Sequence, residues 1–272
     1  MLKRTITAIV ALIVFFAIIF AGKIPLIIGV SIASLAMLYE VYSVTTNSTP
    51  VKACGYISGL LIMAGMYFEQ TKPAISLVIG ITMIFTVALH GKVHYREILS
   101  TIFMTMYIAL LMSYIPIIRI ERNLASMMLI FIIAWGSDTA AYFAGTFFGR
   151  HKLIPKVSPK KTVEGSIGAI ICSVLLCAAY VLFLNIVGKR LIGFGTGMAE
   201  YFTAALLGAV ASVITQLGDL AASAIKRDAD IKDYGKIFPG HGGFMDRFDS
   251  VLLVTPVVYF FPIFYSIIVR LI

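Results

Sequence analysis

Hydrophobic positions along this chain do not alternate with polar ones. They fill continuous blocks of roughly twenty residues, separated by short polar connections. A bilayer core about 30 Å thick takes about 20 residues of helix. A membrane barrel would instead show short segments of alternating hydrophobicity. The pattern predicts nine spans, roughly 5–22, 24–43, 53–69, 73–90, 98–118, 124–148, 166–187, 199–222 and 250–270. The expected fold is all-α: a polytopic integral membrane helical bundle of about nine transmembrane helices.

The blocks fall into two groups. Residues 1–123 hold about five spans with few polar positions and read as a scaffold. Residues 124–272 hold the remaining spans and nearly all of the unusual polar sequence. Span 6 has Asp138 in its middle, and span 8 has Gln216 and Asp219 in its final third. An ionised group at the bilayer centre costs about 2.5–3.5 kcal/mol on insertion scales. Such carboxylates must face water, a cation or each other. Gln216, Asp219, Ser223, Lys226 and Asp230 recur at steps of three or four. On a helix they form one stripe, running from inside the apolar block out into a charged loop.

Composition sharpens this picture. The chain of 272 residues is 60% hydrophobic and 13% charged, whereas soluble domains are about 25% charged. Yet Lys226 to Ser250 holds five basic and five acidic residues, out of thirteen acidic residues in the whole chain. With nine spans, fifteen of the 22 Lys and Arg fall on the side of the N-terminus and of the loops after spans 2, 4, 6 and 8. The positive-inside rule places that side in the cytoplasm. The locale expected is the cell (inner) membrane, with the charged loops and the N-terminus cytoplasmic. Lys3 and Arg4 before an apolar run resemble a signal peptide, but no small-x-small cleavage site follows, so an uncleaved first span is expected.

A net charge of +9 suits an anionic membrane surface or a polyanionic substrate. Nucleic acid is a poor partner, because the basic residues sit in short loops between spans. Cys54, Cys172 and Cys177 form no C-x-x-C motif and read as small core residues. His90 and His94 stand four apart, but an interfacial solvated pair explains them better than a metal.

Two loops carry the candidate chemistry. The loop after span 6, "GRHKLIPKVSPKKTVEGS", supplies Arg150, Lys152, Lys156, Lys160 and Lys161 with Ser158 and Thr162. Pro155 and Pro159 keep it extended or turned. Lysines and hydroxyls at the start of span 7 could clamp phosphate, aided by that helix's N-terminal dipole. Simple positive-inside topology explains the lysines equally well. In the loop after span 8, "PGHGG" (239–243) is a flexible turn around His241, and "DRFD" opens span 9. Asp246 and Asp249, three apart, share one helix face. An N-cap would explain one of them, but not a set of three with Asp219. Three such carboxylates suit a hard divalent cation such as Mg2+. A divalent cation with many Lys and Arg is equipment for moving phosphorus groups. No G-x-x-x-x-G-K-[ST] loop is present, and "GFGTG" (193–197) reads as a connection between spans.

The segment "SAIKRDADIKDYGKIFPGHGGFMDRFD", Ser223 to Asp249, resembles the signature of the phosphatidate cytidylyltransferase family, the CDP-diacylglycerol synthases. "SDTAAYFAGTFFGRHKL" and "SPKKTVEG" look like other recurring segments of that family. The motif likeness covers roughly 134–250, and the first half agrees only in hydropathy and length. The resemblance implies the reaction of CTP with phosphatidate to give CDP-diacylglycerol and pyrophosphate at the cytoplasmic face. It implies Mg2+, and a second, monovalent cation such as K+. Asp219, Asp246 and Asp249 become the metal-binding or catalytic acids, with Lys226 beside them. Asp138, Ser158, Lys160, Lys161, Thr162, Ser223, Arg227, Lys232, His241, Gly242, Gly243 and Arg247 become substrate-binding positions.

The alternatives are an ion-coupled transporter using Asp138 and Asp219, or a related lipid nucleotidyltransferase or lipid kinase. A carrier has no evident need for the charged 223–249 segment. A homodimer is compatible with the sequence but not specified by it.

Overall fold

A computed structural model describes residues 2–238, 240 and 242–271. The nine apolar blocks fall on nine helical rods among these residues. They are α1 (Leu2–Ala21), α2 (Lys23–Thr45), α3 (Thr49–Tyr67), α4 (Thr71–Ala88), the pair α5 (Tyr95–Thr105) and α6 (Leu111–Glu121), α7 (Leu124–Phe148), α8 (Val163–Ile186), α9 (Met198–Asp228) and α10 (Met245–Leu271). α5 runs into α6 through a single π turn, Met106–Leu110. Seven of the rods, among the described residues, are long and apolar enough to cross a membrane. α3 falls short because Lys52, Ser58 and three glycines dilute it, and α1 adds a shorter apolar stretch, Ile9–Phe20. The protein is a polytopic helical membrane protein.

The sequence pattern missed one element. The loop after α7 folds into an antiparallel hairpin of β1 (Lys152–Ile154) and β2 (Ser158–Thr162), pairing Lys152 with Thr162 and Ile154 with Ser158. Two strands are too short to register as hydrophobic periodicity.

The chain forms two compact units. The first comprises residues up to Ile117 together with Ala229–Phe248. Its core includes Met37, Leu38, Val41 and Tyr42 of α2, Ile62 of α3, and Ile98 and Ile108 of the α5 rod. Tyr42 and Thr105 share a buried hydrogen bond between α2 and α5.

The second unit comprises Ile118–Asp228 and the residues from Asp249 on. α8 packs along both α7 and α9. Its N-terminus is set by Thr162, whose hydroxyl accepts the Gly165 N–H at 3.1 Å. α7 starts in the same way, with the Asn123 side chain accepting from Ser126 N. Either cap satisfies one of the orphan donors of a helix start. Ser137 of α7 and Ser212 of α9 share a buried hydrogen bond of 2.6 Å.

α10 carries Pro256 and Pro262 in its interior. Each proline lacks the N–H that would reach the carbonyl four residues earlier. Both orphaned carbonyls are satisfied by side chains. Thr255 Oγ1 donates to Leu252 O at 2.9 Å. Arg122 donates to Val258 O at 3.1 Å, with a further bond to Tyr259 O. Its guanidinium also lies over the Tyr259 ring, 5.4 Å from the centroid. The kink-prone helix is thereby braced in place.

Candidate functional site

Within the second unit, the site grows from the crossing of α9 and α10. Gly218 faces the α10 backbone so closely that a Cβ there would lie 2.8 Å from the Asp249 carbonyl oxygen. Only a glycine permits this approach. Thr215 Oγ1 ties the same crossing by donating to Ser250 O at 2.8 Å. The consequence is that Asp219, next in sequence to Gly218, and Asp249 lie within electrostatic reach of each other. Lys226 and Asp138 lie within reach of Asp249 as well. Asp249 is 8% exposed and accepts its neighbour's N–H, Ser250, at 2.8 Å. Ser223, one turn beyond Asp219, approaches Asp219 Oδ1 at 3.5 Å.

Two carboxylates held together in poor solvent repel, and a cation relieves them. One cation is already supplied by the chain. Lys161 forms an ion pair with Asp219, their side chains being 20% and 27% exposed. Lys161 also approaches Gln216 O at 3.5 Å, and the mostly buried Gln216 side chain donates to Ser166 O at 3.4 Å. The hairpin delivers Lys161. It is the penultimate residue of β2, immediately before the Thr162 cap. Glu164 holds the hairpin's entry, accepting the N–H groups of Arg150 and His151 at 3.1 and 3.2 Å. Arg227 at the end of α9 approaches Val157 O in the hairpin turn at 3.4 Å. Lys160 is exposed and Ser158 is half-buried.

Within the first unit, the segment 229–248 makes a compact loop ahead of α10. Gly240 and Gly242 take left-handed φ angles of 79° and 82°. Phe238 N donates to Gly242 O at 2.9 Å, closing the turn. Asp246, in the first turn of α10, accepts from Tyr234 N at 2.9 Å and from Gly243 N at 3.0 Å, both through Oδ2. It therefore shapes its own loop. Glu40 of α2, 2% exposed, accepts from Phe244 N at 3.0 Å and Met245 N at 2.9 Å. Sequence reasoning passed over Glu40 as one polar residue in an anonymous span. Lys232 and Arg247 are exposed. His241 lies outside the described residues.

The structure thus gathers Asp138, Asp219, Asp249, Lys161, Lys226 and Ser223 in one unit. It gathers Asp246, Gly242 and Gly243 in the other, with Asp246 one turn before Asp249 on α10. Thr162 caps α8. Among the described residues, no three His, Cys, Asp or Glu side chains close into a metal cage. Mg2+ does not require one. It keeps several waters and takes one or two protein carboxylates plus substrate phosphates. The Asp219–Asp249 pair, with an ammonium already drawn to it, fits that donor set.

Comparison with known proteins follows the same lines. The sequence profile of the cytidylyltransferase family matches residues 2–265. Over 264 residues the chain is 34% identical to a phosphatidate cytidylyltransferase of Staphylococcus aureus (strain COL), covering 94% of this chain and 96% of that one. It is 32% identical to the phosphatidate cytidylyltransferase of Staphylococcus epidermidis (strain ATCC 12228 / FDA PCI 1200), with the same coverage. It is 31% identical over 278 residues to that of Bacillus subtilis (strain 168), covering 98% of this chain and 99% of that one.

Proposed function

This chain belongs to the cytidylyltransferase family and is a membrane nucleotidyltransferase, and we propose that it transfers the cytidylyl group of CTP to phosphatidate. The products are CDP-diacylglycerol and pyrophosphate. The observation that carries the reading is the paired carboxylates Asp219 and Asp249, ringed by Lys161 and Lys226, at one end of long apolar helices. The relatives named above carry that activity in their names over nearly their whole length. A carrier would use intramembrane acids along a path. It would not need the Ser223–Asp249 segment.

The chemistry asks little of a base. The phosphate of phosphatidate is already an anion. One of its oxygens attacks the α-phosphorus of CTP, and the bond from that phosphorus to the bridging oxygen of the β-phosphate breaks. The bridging oxygen and its electron pair leave with pyrophosphate. The obstacle is bringing two polyanions into line, so catalysis is positioning and charge neutralisation. Lys226 and Lys161 offset anionic charge at the reacting phosphates. Lys161 leaves Asp219 for a phosphate oxygen as the site fills. Ser223, Arg227, Ser158 and Lys160 hold phosphate oxygens from the α9 end and the hairpin, and Lys232, His241 and Arg247 do so from the 229–248 segment. Gly242 and Gly243 let the main chain approach the substrate closely. Asp138 completes the polar wall.

Asp219 and Asp249 would hold Mg2+, with Asp246 a further carboxylate by its spacing on α10. Bound there, the ion would neutralise charge on the substrate phosphates. A monovalent cation such as K+ belongs to the same reading. We place the reaction at the cytoplasmic face, on the side that collects fifteen of the 22 Lys and Arg. The lipid tails then stay in the bilayer while the headgroup meets the polar stripe.

Product identification tests this reading. The purified protein is offered CTP, dCTP, ATP and UTP against phosphatidate, diacylglycerol and lysophosphatidate. Mass spectrometry is expected to find CDP-diacylglycerol from CTP and phosphatidate. A phosphorylated lipid from diacylglycerol and a triphosphate would instead make it a lipid kinase.

A further inference from the structure

Glu40 is a buried acid far in sequence from every residue assigned a role above. It sits in the last turns of α2, within a mostly apolar span in which it is the one acid. Placing a carboxylate there is unfavourable unless it is bonded. Its two oxygens are used separately: Oε1 accepts from Phe244 N at 3.0 Å and Oε2 from Met245 N at 2.9 Å. These N–H groups belong to the start of α10, where the first donors of a helix have no partner within it and the helix dipole favours negative charge. Gly235 and Gly243 close over the same carboxylate. A Cβ at either would overlap it. Both loop positions therefore have to be glycine for Glu40 to enter.

The clamp and the acid share a residue. Gly243 packs on Glu40 while its N–H donates to Asp246 Oδ2. Tyr234, next to Gly235, donates to the same oxygen. Releasing Glu40 would loosen both donors that orient Asp246.

We infer that Glu40 is a positioning residue. It fixes the Tyr234–Asp246 loop and, through it, the aim of the Asp246 carboxylate. The inference rests on the functional reading only in assigning Asp246 to cation binding. The scaffold half of the sequence then contributes directly to the catalytic loop.

The test uses the full-length protein in detergent or nanodiscs. Glu40→Gln keeps size but leaves one acceptor where two N–H groups need one each. Amide hydrogen exchange at Phe244 and Met245 is expected to quicken about tenfold. Residues that orient a cation ligand typically cost about 10–100-fold in metal affinity when replaced. The half-activating Mg2+ concentration is expected to rise by about tenfold at the low end, with the KM for CTP at saturating Mg2+ shifted less than about twofold. Gly235→Ala keeps the Glu40 side chain but pushes its carboxylate away from the loop, and is expected to reproduce both changes. It also serves if Glu40→Gln does not fold.

Unchanged exchange in a folded variant overturns the clamp. Faster exchange with unchanged Mg2+ activation overturns the positioning role, leaving Glu40 as a brace of the fold. If the unaltered protein makes no CDP-diacylglycerol, the functional reading fails by itself. The exchange measurement then still decides whether Glu40 holds the loop.

Discussion

Asp249 and Glu40 are both buried acids, but they are satisfied in opposite ways. Glu40 is matched oxygen by donor with backbone N–H groups. Asp249 bonds one adjacent N–H and lies in the field of a second carboxylate, Asp219. An arrangement of like charges is a poor way to stabilise a fold. It is a good way to attract a cation. Asp249→Asn should therefore lower turnover by about 100-fold or more, equivalent to roughly 2.7 kcal/mol of transition-state stabilisation. The same change relieves repulsion, so the melting temperature in detergent should hold or rise. A variant that melts early and keeps its turnover would mark Asp249 as structural. The sequence made Asp219 legible as an acid in an apolar run, and Asp249 legible by its spacing from Asp246 in the charged "DRFD" segment. It left Glu40 dark, because its partners lie 204 and 205 residues away. Local pattern carries no trace of such a pairing. Thr162 was legible as a phosphate contact, and its bond to Gly165 N shows that it also caps α8.

The helical rods were almost wholly legible, since length and hydropathy dictate them. Their internal detail was not. Nothing in periodicity announces a π turn at Met106–Leu110 or a hairpin of eight paired-strand residues. The prolines of α10 could be read as kinks. That Thr255 and Arg122 take up the carbonyls they orphan emerges only from packing. The contact that matters most for function is a close approach between helices, α9 on α10 at Gly218. Gly218→Ala puts a methyl group 2.8 Å from the Asp249 carbonyl oxygen, a backbone atom that cannot swing away. Overpacking of this kind costs about 1–3 kcal/mol. The expected result is a lower melting temperature and at least a tenfold loss of turnover, because Asp219 and Asp249 separate. Gly80→Ala is the control. A Cβ there meets nothing within 4 Å, and alanine is the better helix former. It should leave activity intact. Equal behaviour of the two variants would mean the α9–α10 crossing does not set the site.

At the scale of the molecule, the chain passes three times from one unit to the other. It enters the second unit at Ile118, returns to the first for 229–248, and leaves again at Asp249. The sequence suggested a simple division into scaffold and catalytic halves. The return excursion puts the segment before α10 in the same unit as α2 and explains how a scaffold residue can reach it. Charge is the second whole-chain property. If all nine rods cross the membrane, fifteen of the 22 Lys and Arg fall on one side, together with the Ser223–Asp249 segment. The account then requires substrate access from that side, because a nucleoside triphosphate does not cross a bilayer. The decisive measurement is pyrophosphate release in sealed vesicles that contain the protein and phosphatidate, with CTP and Mg2+ added outside. Inside-out vesicles, which expose the cytoplasmic face, should release pyrophosphate and stop when the cation is chelated. Release confined to right-side-out vesicles, or none from either kind even after permeabilisation, would contradict the account.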